Sequence, residues 1–262
     1  MKNRNLMIRS FLNPALLTGT IMVAGIFGPV FSSVHRSFSS DKTSYTDSIR
    51  RNPAELMMPA DANVSAAAVL FDSLKLEERG MNEEVFEYAF NGHRKLVEKG
   101  LVRNDEILSI CDFSQSSRKK RLYVINLETK EVLINTYVAH GRNSGSEFAN
   151  SFSNKPESHK SSLGFYVTDR TYSGEHGLAL KIRGLEKGFN DNAWNRAIVI
   201  HGSDYVNEQF IRANKFMGRS FGCPAVSFKD HKNVINTIKG GSCLFIYHPS
   251  KNYLQQSKII NT

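Results

Sequence analysis

The chain has 262 residues, 40% of them hydrophobic and 23% charged, with a mean hydropathy of −0.34. These proportions exclude a disordered or collagen-like chain and a multi-span membrane protein, and the length suits one large domain or two small ones. Three cysteines are too few for a disulfide-stapled miniprotein, and a net charge of +9 favours an anionic partner or surface.

The chain opens with Lys2, Arg4 and Arg9, and residues 10–34 then hold no charged side chain. A basic segment before an apolar stretch is an export pattern, so residues 1–34 read as a signal peptide or an N-terminal membrane anchor. Four of the nine excess positive charges lie in residues 1–40. The rest are scattered, apart from Arg118-Lys119-Lys120-Arg121, which reads as a solvated turn. With no aromatic interleaving along a basic stripe, nucleic acid is not an expected partner. Residues 35–65 are polar, without apolar period, and read as a linker.

Two helices are predicted next, over 66–76 and 82–97. The second sets Phe86, Ala89, Phe90, His93, Leu96 and Val97 on one stripe, and Gly80 and Gly100 punctuate the ends. Residues 66–100 therefore form a helical extension packed on the core. From there the period shortens. Apolar runs at 107–111, 122–127, 132–139, 165–168, 178–182, 197–201 and 243–247 read as strands, with later helices at 207–216 and 230–239. A mainly β (α+β) domain over 101–250 follows, with strands too numerous for a doubly wound sheet, and residues 251–262 form a tail.

Residues 197–226 carry the chemistry. His201 ends an apolar strand and is followed by Gly202; Cys223 comes twenty-two residues later in Ser220-Phe221-Gly222-Cys223-Pro224. A thiol with an ordinary pKa near 8.5 needs an imidazole to generate its thiolate, and the acyl intermediate needs backbone N–H donors for its oxyanion. Gly222 allows close backbone approach, Pro224 holds Cys223 extended, and the Gly202 carbonyl is placed to orient the ring. Cys243 and Cys111 lie in apolar strands and read as packing residues; a bond between them is permitted but not indicated. No CxxC or HExxH spacing exists, so no metal site is expected.

This signature resembles that of the L,D-transpeptidases, the YkuD-type catalytic domain, in its divergent murein L,D-transpeptidase branch. The likeness runs from about Asp112 to Pro249. It takes in Asp112-Phe113-Ser114, Arg121-Leu122-Tyr123-Val124-Ile125, Asn135-Thr136-Tyr137-Val138-Ala139-His140-Gly141, Ser161-Ser162-Leu163-Gly164-Phe165-Tyr166, Thr171-Tyr172-Ser173-Gly174 and the His201 and Cys223 segments. The resemblance implies a YkuD-like β-sandwich or barrel preceded by two helices, exported to the periplasm or cell envelope and working without a cofactor. It implies a cysteine acyltransferase whose partners are donor and acceptor peptidoglycan stem peptides, touching membrane only through an N-terminal anchor. A thioester on Cys223 is resolved by an amine into a cross-link, or by water as a carboxypeptidase. His201 matches the base, Gly202 the carbonyl that orients it, and Gly222 and Cys223 the oxyanion donors, with Ser220 and Phe221 shaping the site. Phe221 and Ala225 stand where the family usually has a polar residue and an arginine or asparagine. Arg219, Tyr205, His176, Tyr172 and His140 are candidate substrate contacts.

Two rivals stand beside this reading. Gly218-Arg219-Ser220-Phe221-Gly222 matches G-x-S-x-G formally, which makes Ser220 a candidate serine nucleophile, but the strand-turn-helix context is missing. The other rival is a peptidoglycan-binding protein that kept the fold and lost the reaction.

Overall fold

A computed structural model describes residues 65–175 and 177–261. The segments read as a signal or anchor and as a linker, up to residue 64, and His176 lie outside the described residues. Among those described, no helix is long and apolar enough to cross a membrane.

Two helices lead. In α1 (Ala66–Ser73) the Ser65 hydroxyl accepts from the Ala68 N–H, and in α2 (Glu83–Glu98) the Asn82 side chain accepts from Glu84. Each cap satisfies one donor that a helix start leaves open, and Glu83 and Glu84 suit the positive end of the α2 dipole. Leu70, Phe71, Phe86 and Leu96 point into the same core as the strands.

Eight strands follow: β1 (Asn104–Asp112), β2 (Leu122–Asn126), β3 (Glu131–Thr136), β4 (Gly164–Gly174), β5 (Gly177–Gly184), β6 (Val199–Ser203), β7 (Ala225–Ser227) and β8 (Ser242–Tyr247). They form one sheet in the order β3-β2-β1-β8-β4-β5-β6-β7. Just past β3, Ala139 bridges Ala225 of β7, so the two edges meet and the sheet nearly closes, as the mainly β expectation requires. β8 is buried at every position and pairs parallel with β1 and antiparallel with β4. Helices α3 (Glu208–Asn214), α4 (His231–Ile238) and α5 (Lys251–Gln256) complete the fold.

Three features differ from the sequence reading. β4 and β5 run on to residues 174 and 177 as a long hairpin whose outer residues are exposed and so carry no apolar signal. The segment read as a tail holds α5. Its Tyr253 is buried and donates to the Glu186 carboxylate at 2.8 Å, which also accepts from the Phe165 N–H at 2.7 Å and from the Ser257 hydroxyl. Finally, Arg121 of the supposed solvated turn is wholly buried. All three thiols are free; Cys243 is level with Leu108 on the neighbouring strand, three residues from Cys111.

Arg121 explains where His140 went. The guanidinium donates to the carbonyls of Gln115 at 2.8 Å and Val138 at 3.1 Å, and to His140 Nδ1 at 2.7 Å, with the Phe113 ring 4.8 Å away. A guanidinium cannot accept, so His140 Nδ1 does, and its Nε2–H donates to the Gly145 carbonyl at 3.3 Å. His140 is thus a buried neutral strut, in correction of its expected place beside the substrate.

Burial, reinforced by the Arg121 charge, pushes His140 down from 6.5 to about 3. The unfolded ring titrates near its ordinary value, so His140 favours the folded state fully above that pH, and the advantage is lost as pH falls toward the folded value. The melting temperature should therefore fall between about pH 7 and about pH 4, and fall less steeply in His140→Gln, which keeps an acceptor but takes up no proton. Equal slopes in thermal scans of the two proteins would remove His140 from the acid response.

Candidate active site

The parallel pairing of β7 with β6 sets His201 opposite Ala225. Cys223 lies two residues before Ala225, level with Val199, whose N–H points at Cys223 Sγ from 3.5 Å. Cys223 itself lies in a bend just before β7, outside the strand ladder. Cys223 and His201 both line a cleft of about 520 Å³, together with Tyr172, Glu175, Arg196, Tyr205, Arg219 and Phe221.

Cys223 is half-buried, and burial raises its thiol above the ordinary value, opposed by the Val199 N–H and the Arg196 charge. The resting group is therefore a neutral thiol that needs a base. His201 Nδ1 lies 2.9 Å from the Gly202 carbonyl oxygen, which can only accept. The neutral ring then carries its proton on Nδ1, leaving the Nε2 lone pair as the basic position. Gly202 has to be glycine, because a Cβ there would sit 2.7 Å from the Phe228 ring and 2.9 Å from that of His231.

The loop carrying Cys223 is held from both sides. The Ser220 hydroxyl donates to the Cys223 carbonyl at 2.6 Å and accepts from the Gly222 N–H at 3.0 Å. Behind it, the Ser161 hydroxyl accepts from the Gly141 N–H at 3.0 Å and donates to the Gly222 carbonyl at 3.1 Å. Gly222 has φ +126°, and a Cβ would lie 2.8 Å from the Lys160 carbonyl. Two expectations change here. The Gly222 N–H is committed to Ser220 and is not presented to an oxyanion, whereas the Cys223 N–H meets no protein acceptor among the described residues. Ser220 is buried with its hydroxyl engaged in the loop, which is not the exposed elbow a serine nucleophile needs.

A family model described as L,D-transpeptidase catalytic domain matches residues 77–247, more than half of the chain. The chain belongs to this family. No curated protein sequence matches it. Among solved structures it is similar to an L,D-transpeptidase from Mycobacterium smegmatis, with 12% identity, 55% of this chain and 59% of that one covered, and a TM-score of 0.34. Another, an L,D-transpeptidase from Mycobacterium tuberculosis H37Rv, has 12% identity, coverage of 55% and 58%, and a TM-score of 0.31. A third, L,D-transpeptidase (Yku) from Stackebrandtia nassauensis, has 14% identity, coverage of 74% and 86%, and a TM-score of 0.33. The chain spans less than two thirds of the length of the two mycobacterial structures.

Within this L,D-transpeptidase domain, Tyr172, Tyr205, Arg219, Ser220 and Phe221 line the cleft, His140 is buried elsewhere, and His176 lies outside the described residues. Phe221 is 63% exposed, with the His159 ring at 4.5 Å and the Arg142 guanidinium at 5.7 Å, so it forms an outer wall. Ala225 is wholly buried against Ala139, Val206 and Met217, where a longer polar side chain has no room. Arg219 donates to the Gly145 carbonyl at 3.1 Å from the rim. Sequence reasoning missed Arg196, whose guanidinium donates to the carbonyls of Lys160 at 2.6 Å and Ser153 at 2.7 Å. The one available signal was a charged residue two positions before the buried run Ile198-Val199-Ile200.

Arg196 thus pins the 153–160 loop while its charge acts on Cys223. Alkylation of Cys223 by iodoacetamide, followed by peptide mass spectrometry across pH, should show a midpoint above the ordinary thiol value. Arg196→Gln should move that midpoint up, and Arg196→Lys should restore most of it. An unmoved midpoint in Arg196→Gln would mean the charge does not reach the sulfur.

Proposed function

We propose that the protein is an exported cysteine acyltransferase acting on peptidoglycan stem peptides. The observation that carries this reading is that Cys223 and His201 both line one cleft, with His201 Nδ1 held by the Gly202 carbonyl. Membership of the L,D-transpeptidase family supports the substrate class, and the basic then uncharged N-terminal stretch supports export, as a cleaved signal or a retained anchor.

In the reaction His201 Nε2 takes the thiol proton and Cys223 Sγ attacks the carbonyl carbon of the third stem residue. The Cys223 N–H supports the oxyanion. As the C–N bond breaks, the imidazolium returns its proton to the leaving amine of the terminal D-residue, and a thioester remains. An amine of a second stem then loses its proton to His201 and attacks the thioester, giving a cross-link and the free thiol. Water in place of that amine gives the shortened stem, a carboxypeptidase outcome. Tyr172, Tyr205, Arg219 and Phe221 are the wall residues placed to hold the stems. The binding-protein rival is disfavoured because both chemical groups are present in one cleft.

Incubation with a disaccharide-tetrapeptide, followed by intact-protein and product mass spectrometry, tests this. The unmodified protein should form an adduct on Cys223 and release the terminal D-residue. Cys223→Ala should form neither, with turnover reduced by at least about a thousandfold, as for loss of a covalent nucleophile. Ser220→Ala should be slowed through its loop yet still acylate Cys223. Turnover retained in folded Cys223→Ala would overturn the reading.

A further inference from the structure

The cleft continues into a basic ridge. Along β5, Ala179 lies in the cleft opposite His201, and residues two apart share its face, so Lys181 and Arg183 extend that row away from the site. Leu180 and Ile182 face the core on the other side. Trp194, the single tryptophan of the chain, lies against the row. Its ring centroid is 4.1 Å from the Arg183 guanidinium, 4.5 Å from Lys181 Nζ and 5.6 Å from the Arg170 guanidinium. Lys181 Nζ is also 5.6 Å from the ring of Tyr172, which lines the cleft, so the path from site to ridge is unbroken.

An aromatic face attracts cations without neutralising them. Three cations gathered on one indole lie within roughly a Debye length, about 10 Å, of each other and repel. The carboxylate paired with them is Asp169, 2.6 Å from Arg183 Nε, which leaves the ridge with a positive excess. Arg170 and Arg183 are exposed and Lys181 is half-exposed, so the ridge is open to a ligand. Glu175 sets one negative charge in the cleft itself, so the basic character begins beyond it.

We propose that the Lys181–Trp194–Arg183 ridge binds carboxylate groups of the extended peptide whose reacting carbonyl lies at Cys223. This rests on the stem-peptide reading and adds the surface that selects for free carboxylates. A strand rises about 3.3 Å per residue, so Lys181 stands about 7 Å beyond Ala179, the reach of about two residues of an extended ligand. The ridge then acts on binding, and its loss raises KM while leaving kcat near its original value.

Trp194 supplies a direct readout. The full chain carrying Cys223→Ala is titrated with a stem tetrapeptide bearing free carboxylates and with the same peptide fully amidated, and tryptophan fluorescence is followed. The acidic peptide should bind roughly tenfold more tightly than the amidated one and shift the emission, with the difference shrinking as salt is raised. In Lys181→Gln/Arg183→Gln the two peptides should bind alike, and in the active protein that pair should raise KM roughly tenfold with kcat little changed. Equal affinity of both peptides for the unsubstituted ridge, no binding of either, or an unchanged KM in the folded double variant overturns the proposal. Because the titration measures binding alone, carboxylate-dependent binding there, together with no Cys223 adduct when the unsubstituted protein is given the same peptide, would sink the acyltransferase reading and keep the ridge. Turnover blind to amidation would do the reverse.

Discussion

Three residues of parallel pairing hold the site together. β7 is only Ala225–Ser227, yet its register against β6 decides that Cys223 stands level with Val199 and two steps from His201. Cys223 and His201 lie twenty-two residues apart with α3 between them, so no local preference of either brings them together. β7 is also where Ala139 bridges to close the sheet, and Ala225 is too tightly enclosed to project into the cleft. Closing the sheet and assembling the site are one packing event.

Around that junction, buried polar groups do work that apolar packing cannot. The segment after β3 follows no strand ladder, so its backbone groups need other partners. Arg121 takes the Val138 carbonyl and the His140 ring, Ser161 takes the Gly141 N–H, and Ser220 exchanges hydrogen bonds with His140 and Arg142. Each satisfied group also fixes a direction, and the Cys223 loop inherits the result through Gly222 and Ser220. A guanidinium buried among neutral acceptors is costly unless its donors are used, and here the donors of Arg121 are spread over three residues.

Much of this was legible in the sequence. The strands of the sheet centre showed themselves because they are buried on both faces, and α2 because its stripe is one-sided. His201 and Cys223 stood out because glycine-rich, polar flanks are the wrong setting for a merely buried pair. β7 was not legible: three residues after a proline carry no period. Neither was α5, which buries only Tyr253 along its length, nor the outer half of the β4–β5 hairpin, whose side chains face solvent. Arg121 was misplaced because a run of four basic residues suggests solvent, whereas its first three remain outside and the fourth, just before β2, turns inward. Arg196 and Ser161 are tertiary facts, recognisable only by the backbone groups they reach.

The order of the strands has a temporal consequence. β8, last in sequence, occupies the middle of the sheet between β1 and β4, and Glu186 ties the segment after it to the core. Until β8 has been made, β1–β3 and β4–β7 are two half-sheets without the strand that joins them at the centre. A growing chain therefore cannot lock early, and contacts spanning so much sequence close slowly. Such a topology leaves the centre of the sheet open until β8 arrives, whereas β6 and β7, which position His201 and Cys223, pair within one of the halves.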